Sequence, residues 1–139
     1  MAFDPTDTSG RDQLSTRDVA DRFIEMFYRQ NRLSDAFRAW VHPDYIQHDP
    51  KSATGRDGTI AVLDEHMARH PGMSHDIKRV IHGEGGMVAV HYHFRAAPGD
   101  RGLAVVDLFR IEDGYLIEHW VVMQPVPEPE AMKNDNGIF

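Results

Sequence analysis

The chain contains no cysteine, so disulfides and thiolate chemistry are excluded and core packing alone must hold it together. It also lacks any run approaching the ~18 apolar residues of a membrane span. The opening MAFDPTDTSGRDQ shows neither a basic start nor an apolar stretch, so a cytoplasmic location is the default expectation. Basic residues are few, 15 against 22 acidic, for a formal charge of −7. Nucleic acids and anionic membranes are bound through clustered Lys and Arg. No such cluster occurs, and neither partner is expected. No internal repeat or long linker divides the 139 residues, a length that forms one domain burying roughly two-thirds of its surface.

Residues 1–14 are rich in Asp, Thr, Ser and Gly without periodicity and read as a flexible arm. The single domain is placed at 15–139. It opens on Ser15-x-x-Asp18, a capping-box pattern, followed by Val19, Ala20, Phe23, Ile24 and Phe27 on one helical stripe. Leu33, Phe37, Trp40 and Val41 continue as a second helix that His42-Pro43 ends. Tyr45 to Pro50 reads as a short extended segment running into a turn. Thr54-x-x-Asp57 starts a third helix, with Ile60, Leu63 and Met67 on one side and His70-Pro71-Gly72 as its stop. Strands follow at 74–84 and 87–96, the second alternating Val88, Val90, Tyr92 and Phe94 with Ala89, His91, His93 and Arg95. The Pro-rich end from Pro125 is expected to be extended, and the terminal residues flexible unless Ile138 and Phe139 dock.

Most functional information lies in Gly102 to Pro125, two strands around Glu112-Asp113-Gly114. A three-residue loop with Gly114 left-handed sets Ile111 opposite Tyr115, Asp107 opposite His119 and Val105 opposite Val121. One face then reads Val105, Asp107, Phe109, Ile111, Tyr115, Ile117, His119, Val121 and Met123. It is apolar except for a carboxylate facing an imidazole. A two-residue turn would shift the register by one and break that pair. The other face carries Arg110, Glu118, Trp120 and Val122.

Three helices followed by a meander of about four strands predict an α+β domain, helices packed on one face of an antiparallel sheet. If the sheet bends, its concave face and the helices enclose a pocket. Tyr45-Ile-Gln-His-Asp-Pro50, His91-x-His93, Val106-Asp-Leu-Phe-Arg110, Glu118-His-Trp120, Gln124-Pro-Val-Pro127 and the Asn-Gly-Ile-Phe end resemble the SnoaL-like polyketide cyclases, of the nuclear-transport-factor-2-like cone fold. The likeness runs from about Val19 to the C-terminus. It implies a homodimer and a cofactor-free acid–base site in the cone, acting on a carbonyl-activated small molecule. The fold also hosts isomerases, epoxide hydrolases, dehydratases and non-catalytic adapters. One departure stands out: the family's cavity Asp after Glu-His-Trp is Val121 here.

Asp107 and His119 are the sharpest candidates, since a carboxylate can orient an imidazole for proton transfer and a buried Asp on an apolar face is costly. The bland alternative is a pair that merely satisfies itself beneath a helix. By the resemblance His48 sits at the cavity mouth; on sequence alone it could equally cap a turn. It counts with His119 and Asp107 as a catalytic candidate, His119 moving a proton while His48 or Tyr45 hydrogen-bonds the developing enolate. Tyr45 is a core aromatic or a hydroxyl donor. His91 and His93 project to one face and join Val105, Phe109 and Val121 as candidate substrate contacts. With His48 and His119 they could also form an imidazole metal site, although His-x-His is a weak signal. No metal and no cofactor are expected. The expected ligand is a small apolar molecule, and the outer sheet face around Trp120 is the expected homodimer surface. The leading function is an enzyme of the cyclase, isomerase or lyase kind. A ligand-binding protein marked by Val121, and an epoxide or ester hydrolase, are the alternatives.

Overall fold

The computed structural model describes residues 3–139. Helix α1 (Thr16–Ile24) starts with the full capping box, the Asp18 amide donating to Ser15 Oγ and the Ser15 amide to the Asp18 carboxylate. It runs into a π-wound turn, Glu25–Arg29, which buries Met26, Phe27 and Tyr28. Helix α2 (Leu33–Trp40) gives way at Val41 to strand β1 (Val41–Gln47), as the proline at 43 requires. Helix α3 (Arg56–Arg69) is preceded by Gly55 in a positive-φ conformation and has no side-chain cap. Thr54 instead donates its hydroxyl to the Tyr45 carbonyl. Strands β2 (Ser74–His82), β3 (Met87–Arg95), β4 (Leu103–Glu112) and β5 (Tyr115–Pro125) follow.

The sheet order is β1-β5-β4-β3-β2. The meander is antiparallel as expected, but the Tyr45 segment is a fifth strand lying parallel to β5. The sheet is therefore mixed. Its register jumps from Val41 opposite Leu116 to Ile46 opposite Glu118, a break that contains Pro43, which has no amide to donate. Phe23, Phe27, Tyr28, Phe37 and Trp40 pack with Val90, Tyr92, Val105 and Phe109 of the sheet into one core.

The β4–β5 hairpin departs from the expected pairing. Asp113 and Gly114 both have positive φ, 51° and 81°, which is the two-residue type I′ turn. Glu112 faces Tyr115 and Ile111 faces Leu116; then Ile117 is skipped, so that Arg110 faces Glu118, Phe109 faces His119 and Asp107 faces Val121. The extra residue is a β-bulge. It offsets the one-residue shift of the tighter turn, which is why Asp107 and His119 still share a face although they are diagonal rather than opposite. Before the bulge the faces are exchanged: Leu116 is buried, while Tyr115 is half-exposed on the outside.

The N-terminal segment is docked, contrary to the expected flexible arm, whose first two residues lie outside the described part. Trp40 Nε1 donates to the Pro5 carbonyl at 2.8 Å, Arg11 donates to the Gly114 and Ala39 carbonyls, and its guanidinium lies 3.9 Å from the Tyr115 ring centre. The C-terminal segment is also tied, through Val126 to Gly102 and Arg101 to Glu128. Phe139 docks on the outer sheet face.

A Cβ at Gly114 would lie 2.6 Å from the Arg11 carbonyl oxygen, whereas at Gly85, which also has positive φ, it would meet nothing. Gly85→Ala should cost about 1 kcal/mol, the strain of the conformation alone, and Gly114→Ala clearly more, about 2–3 kcal/mol. Equal losses in urea unfolding would contradict the docking of this segment on the turn.

Candidate active site

The concave face and the helices enclose a cavity of about 300 Å³, at the small end of ligand pockets. Phe27, Leu33, Phe37, Leu63, Phe94 and Phe109 supply apolar walls; Gln47, His66, His75, Tyr92, Asp107 and His119 are among its polar groups.

Asp107 and His119 are 5% and 8% exposed. Burying a carboxylate costs several kcal/mol unless charge and hydrogen bonds compensate, and here they do. His119 Nε2 donates to Asp107 Oδ1 at 2.8 Å, and the Tyr28 hydroxyl donates to Oδ2 at 2.6 Å. The imidazole is held between Phe109, 4.7 Å centre to centre, and Tyr45, 6.3 Å away. Its other nitrogen, Nδ1, is 2.7 Å from Gln47 Oε1. The Asp49 amide donates to that same Oε1 at 2.9 Å, which fixes the orientation of the side-chain amide. Both ring nitrogens therefore face acceptors. A ring carrying a proton on each nitrogen satisfies the two together, and the arrangement fits an imidazolium paired with a carboxylate; in either placement of the shared proton, Nδ1–H is the donor toward Gln47. Burial, and then the Asp107 charge, hold the Tyr28 and Tyr92 hydroxyls well above the ordinary tyrosine range, so both remain protonated donors.

The cavity joins five of the expected residues: Asp107, His119, Val105, Phe109 and Val121. Val121 sits directly opposite Asp107, so a carboxylate faces this point of the cavity from the paired position across the hairpin. Tyr45 is buried behind His119 and accepts a hydrogen bond from Gln47 Nε2. It supports the ring and does not line the cavity.

Three expected site residues lie elsewhere, the catalytic candidate His48 and the substrate contacts His91 and His93. His48 follows β1 on the outer face, where its Nε2 is 2.8 Å from Glu118 and its ring stacks on Trp120, 5.0 Å centre to centre. His48 and Arg110 together hold the Glu118 carboxyl below its ordinary range. His91 and His93 alternate with the cavity-lining Tyr92 and Phe94 and so must point outward. His93 donates to the Arg101 carbonyl and stacks on Phe139 at 4.6 Å, and His91 bonds Arg79. These three histidines and His119 lie on opposite faces of the sheet, and the imidazole cluster considered for a metal is not assembled.

Sequence reading missed Tyr28, Gln47 and His75. Tyr28 lies in the π-wound turn, off the α1 stripe, and carries no local signal. Gln47 stood inside the extended Tyr45–Pro50 segment; what the sequence did not show is that this segment pairs with β5, which sets the Gln47 side chain beside His119. His75 at the start of β2 pairs with Phe94; the alternation of β3 could have placed it on the inner face.

The SnoaL-like domain family matches residues 20–119, and the chain belongs to that family. No curated protein sequence matches it. Among solved structures it is similar to IdmH of Streptomyces antibioticus, a candidate polyketide cyclase, at 20% identity over 79% of this chain and 92% of that one, TM-score 0.60. A cystatin-fold protein of Novosphingobium aromaticivorans (19%; 78% and 98%; 0.63) and a candidate isomerase of the SnoaL-like family from Agrobacterium tumefaciens (12%; 78% and 97%; 0.63) share the same architecture. At such identities the likeness establishes the fold.

Removing one partner of a buried ion pair costs ~3–5 kcal/mol, whereas an apolar replacement of both often costs little. Asp107→Leu should therefore destabilise by about 3 kcal/mol or more in denaturant unfolding, and adding His119→Leu should recover part of the loss. A double variant weaker than the sum of the single variants would contradict the pairing.

Burial lowers the His75 imidazole from 6.5 to about 4; Asp107 on β4 opposes this and His66 on α3 reinforces it, with the neutral Tyr28 and Tyr92 packed alongside. The unfolded ring takes up a proton near pH 6.5 and the folded ring only near pH 4. Its contribution to stability is therefore complete above 6.5 and lost as the pH falls from there to about 4. His75→Phe should flatten the stability profile across that window, as read by urea unfolding; an unchanged slope would contradict the shift.

Proposed function

We propose that this protein is a cofactor-independent acid–base enzyme that activates a small, mostly apolar carbonyl compound by proton transfer, in a cyclisation, isomerisation or lyase reaction. The observation that carries the reading is a histidine with an acceptor oxygen at each ring nitrogen, buried at the wall of an apolar cavity with a carboxylate behind it.

Gln47 Oε1 is itself an sp² carbonyl oxygen, and it occupies the place where a substrate carbonyl would accept from His119 Nδ1–H. A substrate that displaces it meets a fixed cationic donor whose charge Asp107 offsets through Nε2. As negative charge develops on the substrate oxygen, that donor stabilises it with little reorganisation, an effect often worth ~3 kcal/mol or more. The apolar walls of the cavity strengthen the interaction. Family membership supports a small-molecule enzyme or ligand-binding role. The buried ionic pair favours chemistry over simple binding, because an apolar pocket needs no such group to hold an apolar ligand.

β-Tetralone, an apolar ketone with acidic α-protons, serves as a probe. In deuterium oxide the protein should accelerate its α-deuteration, followed by proton NMR. His119→Leu should reduce the acceleration by roughly a hundredfold or more, as expected for loss of an oxyanion donor. β-Naphthol, shaped like the enol, should bind the wild type and bind the variant at least tenfold more weakly. Binding of β-naphthol without exchange would favour the ligand-binding alternative; exchange that survives in the His119 variant would contradict the assignment.

A further inference from the structure

A ring that donates from both nitrogens has no lone pair with which to take a proton from carbon, so His119 leaves the base of the reaction unassigned. Asp107 is already committed, one oxygen to His119 and the other to Tyr28. Asp49 accepts from the Lys51 amide in the turn after β1.

His75 is different. It lies on the inner face at the start of β2, lines the same cavity, and packs among Phe27, Tyr28, Tyr92 and Phe94 at centroid distances of 5.5–5.8 Å. Its Nδ1 is 2.8 Å from Asn31 Oδ1, and Asn31 Nδ2 donates to the Met73 carbonyl at 3.1 Å. That second bond fixes which end of the Asn31 amide faces the ring. The amide oxygen therefore takes the Nδ1 proton, and in the neutral ring the lone pair is left on Nε2. Among the described residues Nε2 bonds no side chain or backbone group. Asn31 itself has φ of 54°, an uncommon conformation for a residue with a side chain and one seen more often for Asn.

Resting on the function proposed above, we infer that His75 Nε2 is the general base of this site, held in the accepting tautomer by Asn31. The α C–H bond of the substrate breaks, its proton passes to Nε2, and the electron pair forms the enolate C=C. The negative charge moves onto the oxygen held by His119 Nδ1–H. The imidazolium formed at position 75 is disfavoured by burial, a cost that the nearby Asp107 charge offsets in part, so it is short-lived and gives its proton up readily. Its proton then returns to carbon or passes to the departing group. The shift of His75 toward neutrality by burial keeps the lone pair available at neutral pH.

Two measurements test this. ¹⁵N NMR of the wild type at neutral pH should show His75 protonated on Nδ1 and bare on Nε2, and Asn31→Leu should mix the tautomers; a ring bare on Nδ1 in the wild type would overturn the inference. In the β-tetralone assay His75→Gln should lower α-deuteration by roughly a hundredfold or more while leaving β-naphthol affinity within about threefold, since that affinity reports the His119 donor and an intact fold. Exchange undiminished in His75→Gln overturns the role of His75 and leaves the function standing. Absence of exchange in the wild type overturns both.

Discussion

Burying the carboxylate of Asp107 against the aromatic core is the constraint on which this structure turns. Alone it would cost more than a domain of this size can spare, since net stabilities are ~5–15 kcal/mol. Its partners come from distant parts of the chain: Tyr28 from the π-wound turn after α1, and His119 from β5. His119 in turn requires Gln47 of β1, whose amide is oriented by the backbone at Asp49. The polar network thus ties the first helical segment to three strands at the wall of the cavity. An apolar residue at 107 would have been the simpler way to finish the sheet face. Retention of the ionic group where it meets an open pocket is what gives the site its chemical character.

The hairpin shows how local geometry serves this arrangement. A type I′ turn at Asp113-Gly114 matches the twist of the flanking strands, but with regular pairing it would put His119 on the outer face. The bulge at Ile117 restores it to the inner one. It also turns Tyr115 outward, where Arg11 stacks on it and the N-terminal segment gains its anchor. A single extra residue therefore serves both the site and the docking of the chain's beginning.

Much of this was legible in the sequence: the capping box at Ser15, the three helices, the alternation in β3, the shared face of Asp107 and His119, and the family resemblance. What was not legible had physical causes. Proline-punctuated β1 reads as a short extended segment, but not as a fifth strand of the sheet, because that role comes from pairing with β5, a partner some 70 residues away. Turn type and bulge trade against each other, so the right face was reached through the wrong register. His48 and the His91/His93 pair drew attention as histidines, although alternation along their strands sends them to the outer face. The residues that complete the network, Tyr28, Gln47 and His75, are single side chains on separate elements, and only the folded chain brings them together.

The central claim is that His119, backed by Asp107, presents a hydrogen-bond donor to an oxygen anion inside the cavity. A crystal structure with β-naphthol bound tests it most directly. The account predicts the naphthol oxygen within hydrogen-bond distance of His119 Nδ1, Gln47 Oε1 displaced from that nitrogen, and the rings against Phe109, Val105 and Val121. A cavity left empty while naphthol binds the outer face, or a naphthol seated with its oxygen away from His119 and the Gln47 bond intact, would contradict it.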